Sequence, residues 1–276
     1  MKSSNIGGQA VMEGIMMRSG DQYSIGVRKP DGEIEVKVEP YRSWAKDSSI
    51  WKLPVFRGVA SFFESLVVGI RCLMYSASFI EDEEEDAKKP GKEKTEEQKE
   101  KEEKWLMYGT MTFSVIFSIA LFIMLPYFLA GFLRNVTTSE GVIAVAEACV
   151  RMILFLGYLV LISRMKDIQR VFMYHGAEHK CINCVEHGLE LNVENVMKSS
   201  REHKRCGTSF LFFVMIVSAV FLMFIHVESH LWRVIVRILL MPVIAGVSYE
   251  IIRLAGRSEN KFVNLLSKPG MMIQHM

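Results

Sequence analysis

Apolar and polar positions follow two rhythms along this chain. Before residue 50 they alternate, as in SIGVRKPDGEIEVKV on either side of Pro30-Asp31-Gly32. Period-two alternation broken by a Pro-Asp-Gly turn predicts a β-hairpin. Just upstream, IGGQAVMEGIMMR joins a glycine pair to an apolar run. That combination reads as a strand whose backbone approaches a neighbour closely, with packing favoured over a ligand loop. Beyond residue 105 the apolar runs lengthen. A helix needs about 20 apolar residues to cross the hydrocarbon core, and 105–133 offers such a stretch with no charge at all. Residues 141–163, which hold Glu147 and Arg151, form a second span. Residues 208–227 form a third, and 231–254, carrying Arg233, Arg237 and Glu250, a fourth. Trp105 and Trp232 sit near span ends, as interfacial aromatics do.

Residues 53–80 are long and apolar enough to span, yet Arg57, Glu64 and Arg71 recur at seven-residue intervals and so share one helical stripe. An interfacial or partly inserted helix is expected, because a fifth full crossing would put the β-rich segment on the other side. The next tract, 81–104, holds twelve acidic residues and seven lysines. It reads as a charged linker or as a solvated helix leading into the first span.

Charge changes the picture by giving it a direction. The tract before the first span has seven lysines, the first-to-second connection only Arg134, and residues 164–207 eight Lys/Arg. The next turn has none, and the tail carries Arg257, Lys261 and Lys268. This alternation predicts four spans with both termini in the cytoplasm. Composition agrees. Half the residues are hydrophobic and the mean hydropathy is +0.20. With a pI near 8.2 and no basic stripe interleaved with aromatics, nucleic acid is not an expected partner. The opening MKSSNIGGQAVMEG lacks an apolar core behind its lysine, so no cleavable leader is expected.

The expected architecture is therefore an α-helical polytopic membrane protein. It has about four transmembrane helices, an interfacial or re-entrant helix, and a small β-rich cytoplasmic module. The divisions are 1–50 (β-rich), 53–80 (interfacial helix), 81–104 (charged), 105–163 (first two spans), 164–207 (cytoplasmic His/Cys loop), 208–254 (last two spans) and 255–276 (cytoplasmic tail).

The chemistry concentrates in residues 164–207. A helix is expected from about 165 to 186, closed by His187-Gly188, with a shorter one over 193–200. At about 100° per residue, His179 falls about 40° from His175, Glu186 about 20° and Glu178 about −60°. These four share a face, while Cys181 and Cys184 fall nearly opposite. His175-Gly176-Ala177-Glu178-His179 has the inverted zincin pattern, in which two imidazoles hold a metal and the glutamate handles a proton. An amphipathic helix with hydrogen-bonded imidazoles, or a proton relay, are the alternatives. A third ligand is needed. Glu186 lies about 10 Å down the axis from His179, so His203 and Cys206 come first, with Glu250 behind them. A zinc knuckle of Cys181, Cys184, His203 and Cys206 has the spacing but poor geometry within a continuous helix. Cys72 and Cys149 read as packing residues. Lys180, beside His179, is the basic residue best placed to meet an anionic substrate. Arg164, Lys166, Arg170, Arg201, Lys204 and Arg205 also follow from the positive-inside bias.

GGQAVMEGIMMR, HGAEHK and HKRCGTSF together resemble the YqhQ-like family of bacterial integral membrane proteins. The resemblance runs from Gly7 to the fourth span. That family is of unknown function and is labelled as metal-dependent enzymes. It implies a bacterial cytoplasmic membrane and a divalent metal, with zinc the first choice. By position, His175, Glu178, His179, His203, Cys206, Gly207 and Thr208 match its signature, as do Gly7, Gly8, Met12, Glu13 and Gly14. Cys181 and Cys184 fall outside it.

Three functions stand open. One is a membrane-embedded metal-dependent hydrolase in which Glu178 and Lys180 act in catalysis and His175, His179, His203, Cys206 and Glu186 are the pool of metal ligands. A second is a non-catalytic partner of a membrane complex for translocation, synthesis or signalling, with a homo-oligomer also possible. A weaker third is a transporter built around Glu147 and Arg151.

Overall fold

The computed structural model describes residues 4, 6–43, 49–87, 96–203, 206–225, 227, 229–256, 260, 268–272 and 274, with 81–87, 96–104 and 230 described by backbone alone. Of the charges discussed above, Lys204, Arg205, Arg257 and Lys261 lie outside the described residues, as do 88–95 of the charged tract. The chain divides into two compact units, one of residues 1–82, 159–217 and 239–276, the other of 83–158 and 218–238.

In the first unit, β1 (Gly7–Val11), β2 (Gly14–Ser19), β3 (Gln22–Arg28) and β4 (Ile34–Pro40) form an antiparallel meander in sequence order. The expected hairpin is β3–β4, with Gly32 at φ 89° in its turn. The segment expected as one strand is instead two, β1 and β2, folded about Met12-Glu13. Glu13 adopts φ 50°, and Arg170 and Tyr174 hold its carboxylate. That tether secures a turn that an unbroken apolar run conceals. Val11, Met16, Tyr23, Ile25 and Val27 are buried together with Val68 and Cys72 of α1 (Phe56–Ala87), and Tyr75 and Phe79 pack beside them. In β4 the apolar positions Ile34, Val36 and Val38 stay exposed, while Glu35 and Lys37 meet Tyr75.

All three charges on the α1 stripe are occupied. Arg57 donates two hydrogen bonds to Glu250, at 2.6 and 2.5 Å. Glu64, buried, accepts from Tyr41 at 2.5 Å and Ser43 at 2.8 Å, and Arg71 lies beside the Tyr23 hydroxyl. Next to Arg57 in the chain, Gly58 lies so close to α8 (His230–Ala255) that a Cβ there would stand 2.6 Å from the Gly246 carbonyl. Only a glycine pair permits that approach.

The remaining helices are α2 (Glu96–Ile119), α3 (Leu125–Gly131), α4 (Glu140–Ile162), α5 (Lys166–Glu186), α6 (Val193–Lys198) and α7 (Gly207–Phe224). In the second unit a π-helical segment, Ala120–Met124, joins α2 to α3. Pro126 has no N–H to offer the carbonyl four residues back, Phe122, and Arg151 Nε donates to that oxygen instead at 2.9 Å. Arg151 also bonds Ser218 at 3.0 Å and Glu147 at 2.7 Å. Arg237 grips both oxygens of Glu147 at 2.7 Å and lies over the Tyr127 ring.

Five helices are long and apolar enough to cross a membrane: Phe56–Ile80, Trp105–Asn135, Glu140–Ile162, Gly207–Phe224 and Leu231–Ala255. They indicate a multi-pass membrane protein, mostly helical, with a four-stranded sheet at its N-terminal end.

Candidate metal centre

Helix α5 carries the site because its ends are well specified. Asp167 sits in the first turn, where a carboxylate offsets the positive end of the helix dipole. At the other end Gly188, at φ 71°, takes the left-handed conformation that closes a helix. The next segment then folds back along α5. Asn192 caps α6 by accepting from the Asn195 N–H at 3.0 Å. Asn183 Nδ2 donates to the carbonyls of Ser200 at 2.7 Å and Glu202 at 2.9 Å. Lys180 Nζ donates to the Met197 carbonyl at 2.6 Å. These bonds pin the 197–202 backbone against α5 and deliver Cys206 to the histidines.

His175, His179 and Cys206 each offer one ligand atom, and the three atoms lie within 4.8 Å of one another. His175 Nε2 is 3.1 Å from Cys206 Sγ. Its Nδ1 donates to Glu178 Oε2 at 3.0 Å, and His179 Nδ1 donates to the Arg201 carbonyl at 2.6 Å. Both partners accept, so each ring keeps a proton on Nδ1 and turns Nε2 inward. Metal-binding histidines are oriented by outer partners of this kind.

Cys206 immediately precedes α7, and the Thr208 N–H donates to its sulfur at 3.4 Å. A helix N-terminus favours a thiolate. Burial alone would raise the Cys206 pKa, but the two imidazoles outweigh it and bring the thiol down to about 6. Burial likewise works to lower His175, while Cys206 and Glu178 outweigh it and hold the ring up at about 10. A thiolate thus faces a protonated His175 ring. A metal bound there would displace the Nε2 proton, leaving two ring nitrogens and a thiolate as donors, a set that suits a divalent transition metal. The cluster could hold a metal ion.

The other proposed ligands lie outside the three-residue cluster. His203 is buried beside His179, with ring centroids 5.7 Å apart, and its Nε2 is 3.5 Å from Glu186. Glu186 accepts from the backbone N–H and the hydroxyl of Ser4, both at 2.9 Å. Glu250 is engaged by Arg57. Cys184 points to the carbonyls of Leu189 and Glu190, and neither it nor Cys181 joins the cluster.

A cavity of about 600 Å³ opens beside the cluster. His175, Glu178, His179, His203 and Cys206 border it, as do Gly7 and Gly8 of β1. Gly8 lies flat against Glu178, where a Cβ would stand 2.5 Å from Oε1. The glycine pair therefore shapes the site through backbone approach. Sequence reasoning missed Asn183, whose side chain organises the returning segment, and Arg18 and Arg253, which border the cavity as Arg57 of the α1 stripe does. A buried asparagine in an amphipathic helix was the available signal for the first. No periodicity pointed to Arg18 or Arg253.

The comparisons with known proteins bear on this site. Residues 53–276 match the family described as protein of unknown function, DUF1385. The chain belongs to the DUF1385 family. It is also similar to the uncharacterized protein YqhQ of Bacillus subtilis (strain 168), at 35% identity over 270 residues, covering 97% of this chain and 84% of that protein. This bears out the resemblance carried by GGQAVMEGIMMR, HGAEHK and HKRCGTSF. No solved structure matches the chain.

Proposed function

We propose that this chain is a membrane-embedded metal-dependent hydrolase with its site at the cytoplasmic surface of a bacterial cytoplasmic membrane. The observation that carries the reading is the convergence of His175, His179 and Cys206 beside an open cavity. Zinc suits this donor set, and a divalent ion there supplies a Lewis acid for a carbonyl or phosphoryl oxygen. Glu178 holds the His175 ring in its ligating orientation. It also borders the cavity, where it can take a proton from water. Lys180 donates to a backbone carbonyl and acts by holding the returning segment in place.

The surface location is supported by α1. Its residues Val68, Cys72, Tyr75 and Phe79 pack against the sheet, whose β4 bears Glu35, Lys37 and Glu39. The half of α1 covered by charged strands is read as lying outside the hydrocarbon, with the half before Val68 free to insert, in keeping with partial insertion and with the loop charges.

The test is metal content by mass spectrometry on protein purified in detergent without chelators. Wild type should carry about one ion per chain, as a single three-ligand site requires. His175→Ala/His179→Ala should lose it while keeping its circular dichroism and elution volume. Wild type without metal would overturn the reading. Glu178→Gln should keep its fold, bind metal roughly 10–100-fold more weakly and fail to complement a null strain. Full complementation would remove Glu178 from the mechanism.

A further inference from the structure

The cavity beside the cluster is bordered by both charged and apolar groups. Three guanidiniums, those of Arg18, Arg57 and Arg253, line it. Two of them share one carboxylate. Glu250 is bound by both donors of Arg57 and stands 3.9 Å from Arg253, at the limit of an ion pair. Among the described residues Arg18 lies over the Tyr41 ring, 4.4 Å from its centroid, rather than against a carboxylate. Among the described residues, the one carboxylate that these three guanidiniums meet is thus Glu250. Phe62 also lines the cavity, stacked on Phe210 with centroids 6.0 Å apart, and Ile252 adds to this apolar wall. That wall is made of α1, α7 and α8, which are all apolar enough to lie in a bilayer.

We infer that the cavity binds an anionic lipid that ends in a phosphate monoester, with that phosphate against Arg18 and Arg253 and an acyl chain along Phe62 and Phe210. A phosphate matches these arginines, because guanidiniums bind its oxygens through paired, charge-assisted hydrogen bonds. An acyl chain matches the aromatic wall, and the cavity volume lies in the range of small-molecule sites. Where the metal reading above holds, this lipid is also the substrate class of that site, since Cys206 and both histidines border the same cavity. Binding itself does not depend on the metal.

The experiment measures lipid retention. Wild type is reconstituted in phosphatidylcholine nanodiscs doped with phosphatidic acid, washed in detergent and analysed by native mass spectrometry, with metal content read on the same samples. Wild type should retain phosphatidic acid over phosphatidylcholine by roughly tenfold. Arg18→Gln/Arg253→Gln should fall to the bulk ratio. Arg164→Gln/Lys166→Gln, which removes the same charge from exposed positions away from the cavity, should retain it. Glycerol 3-phosphate, the head group alone, should not displace the lipid. If the Arg18/Arg253 pair does not fold, Ser65→Trp at the cavity border should exclude the lipid with all arginines in place. Equal retention by wild type and the cavity variants would overturn the proposal. Displacement by glycerol 3-phosphate would overturn the lipid in favour of a soluble phosphate. Metal-free wild type that still selects phosphatidic acid would sink the metal reading and leave this one standing.

Discussion

Two regions of this molecule bury ionisable side chains on helices, and they do so in opposite ways. Around Glu147, which is 1% exposed, the partners close on one another. Arg237 takes both carboxylate oxygens, and Arg151 takes one of them together with the Phe122 carbonyl and Ser218. Around Cys206 the outer atoms are tied, His175 to Glu178 and His179 to Arg201. The inner atoms face one another and border a cavity. Burial of charge alone does not mark a site. What marks one is hydrogen-bonding capacity left pointing at a shared, accessible point.

The sharpest way to break this contrast is to remove the centre of each cluster. Glu147→Ala leaves two guanidiniums buried without their carboxylate and should destabilise the protein by about 3–5 kcal/mol. Thermal unfolding in detergent reads the loss, and metal content should not change. His175→Ala/His179→Ala should do the reverse, abolishing metal binding while shifting the melting of chelator-treated protein far less. If both variants melt alike without metal, the histidine cluster is a structural knot too.

A smaller effect tests how the site is supported. Gly8→Ala drives a methyl into Glu178, and overpacking of this kind costs about 1–3 kcal/mol. Because Glu178 orients His175, metal affinity should also fall, and a competition titration with a chromogenic chelator measures it. Unchanged affinity would mean that Glu178 does not position the ring. The baseline is Lys198→Gln, which removes an exposed pair with Glu194 and should cost about 0.3–0.5 kcal/mol. A larger loss would show that α6 packing matters more to the site than its exposure implies.

Much of the fold was legible because it depends on near neighbours. Apolar run length marks the helices that can enter a bilayer, and alternation about Pro30-Asp31-Gly32 marks a hairpin. Gly188 marks the end of α5. The site's first half was legible for the same reason: helical periodicity alone puts His175, Glu178 and His179 on one face. The β1–β2 turn was not, since Glu13 holds a positive φ through Arg170, 157 residues away.

On its own, then, the sequence determined the membrane class, the hairpin and the facing histidines, because each follows from local periodicity and from the solvent a stretch of side chains can tolerate. Only the tertiary structure decided that Cys206 completes the cluster while His203 turns to Glu186. It also decided that Gly8 abuts Glu178 and that Arg57 meets Glu250 across 193 residues. Those outcomes turn on ångström-scale placement of segments far apart in the chain. Asn183 and the capped return of α6 set that placement, and one turn of helix more or less would bring a different side chain to the histidines.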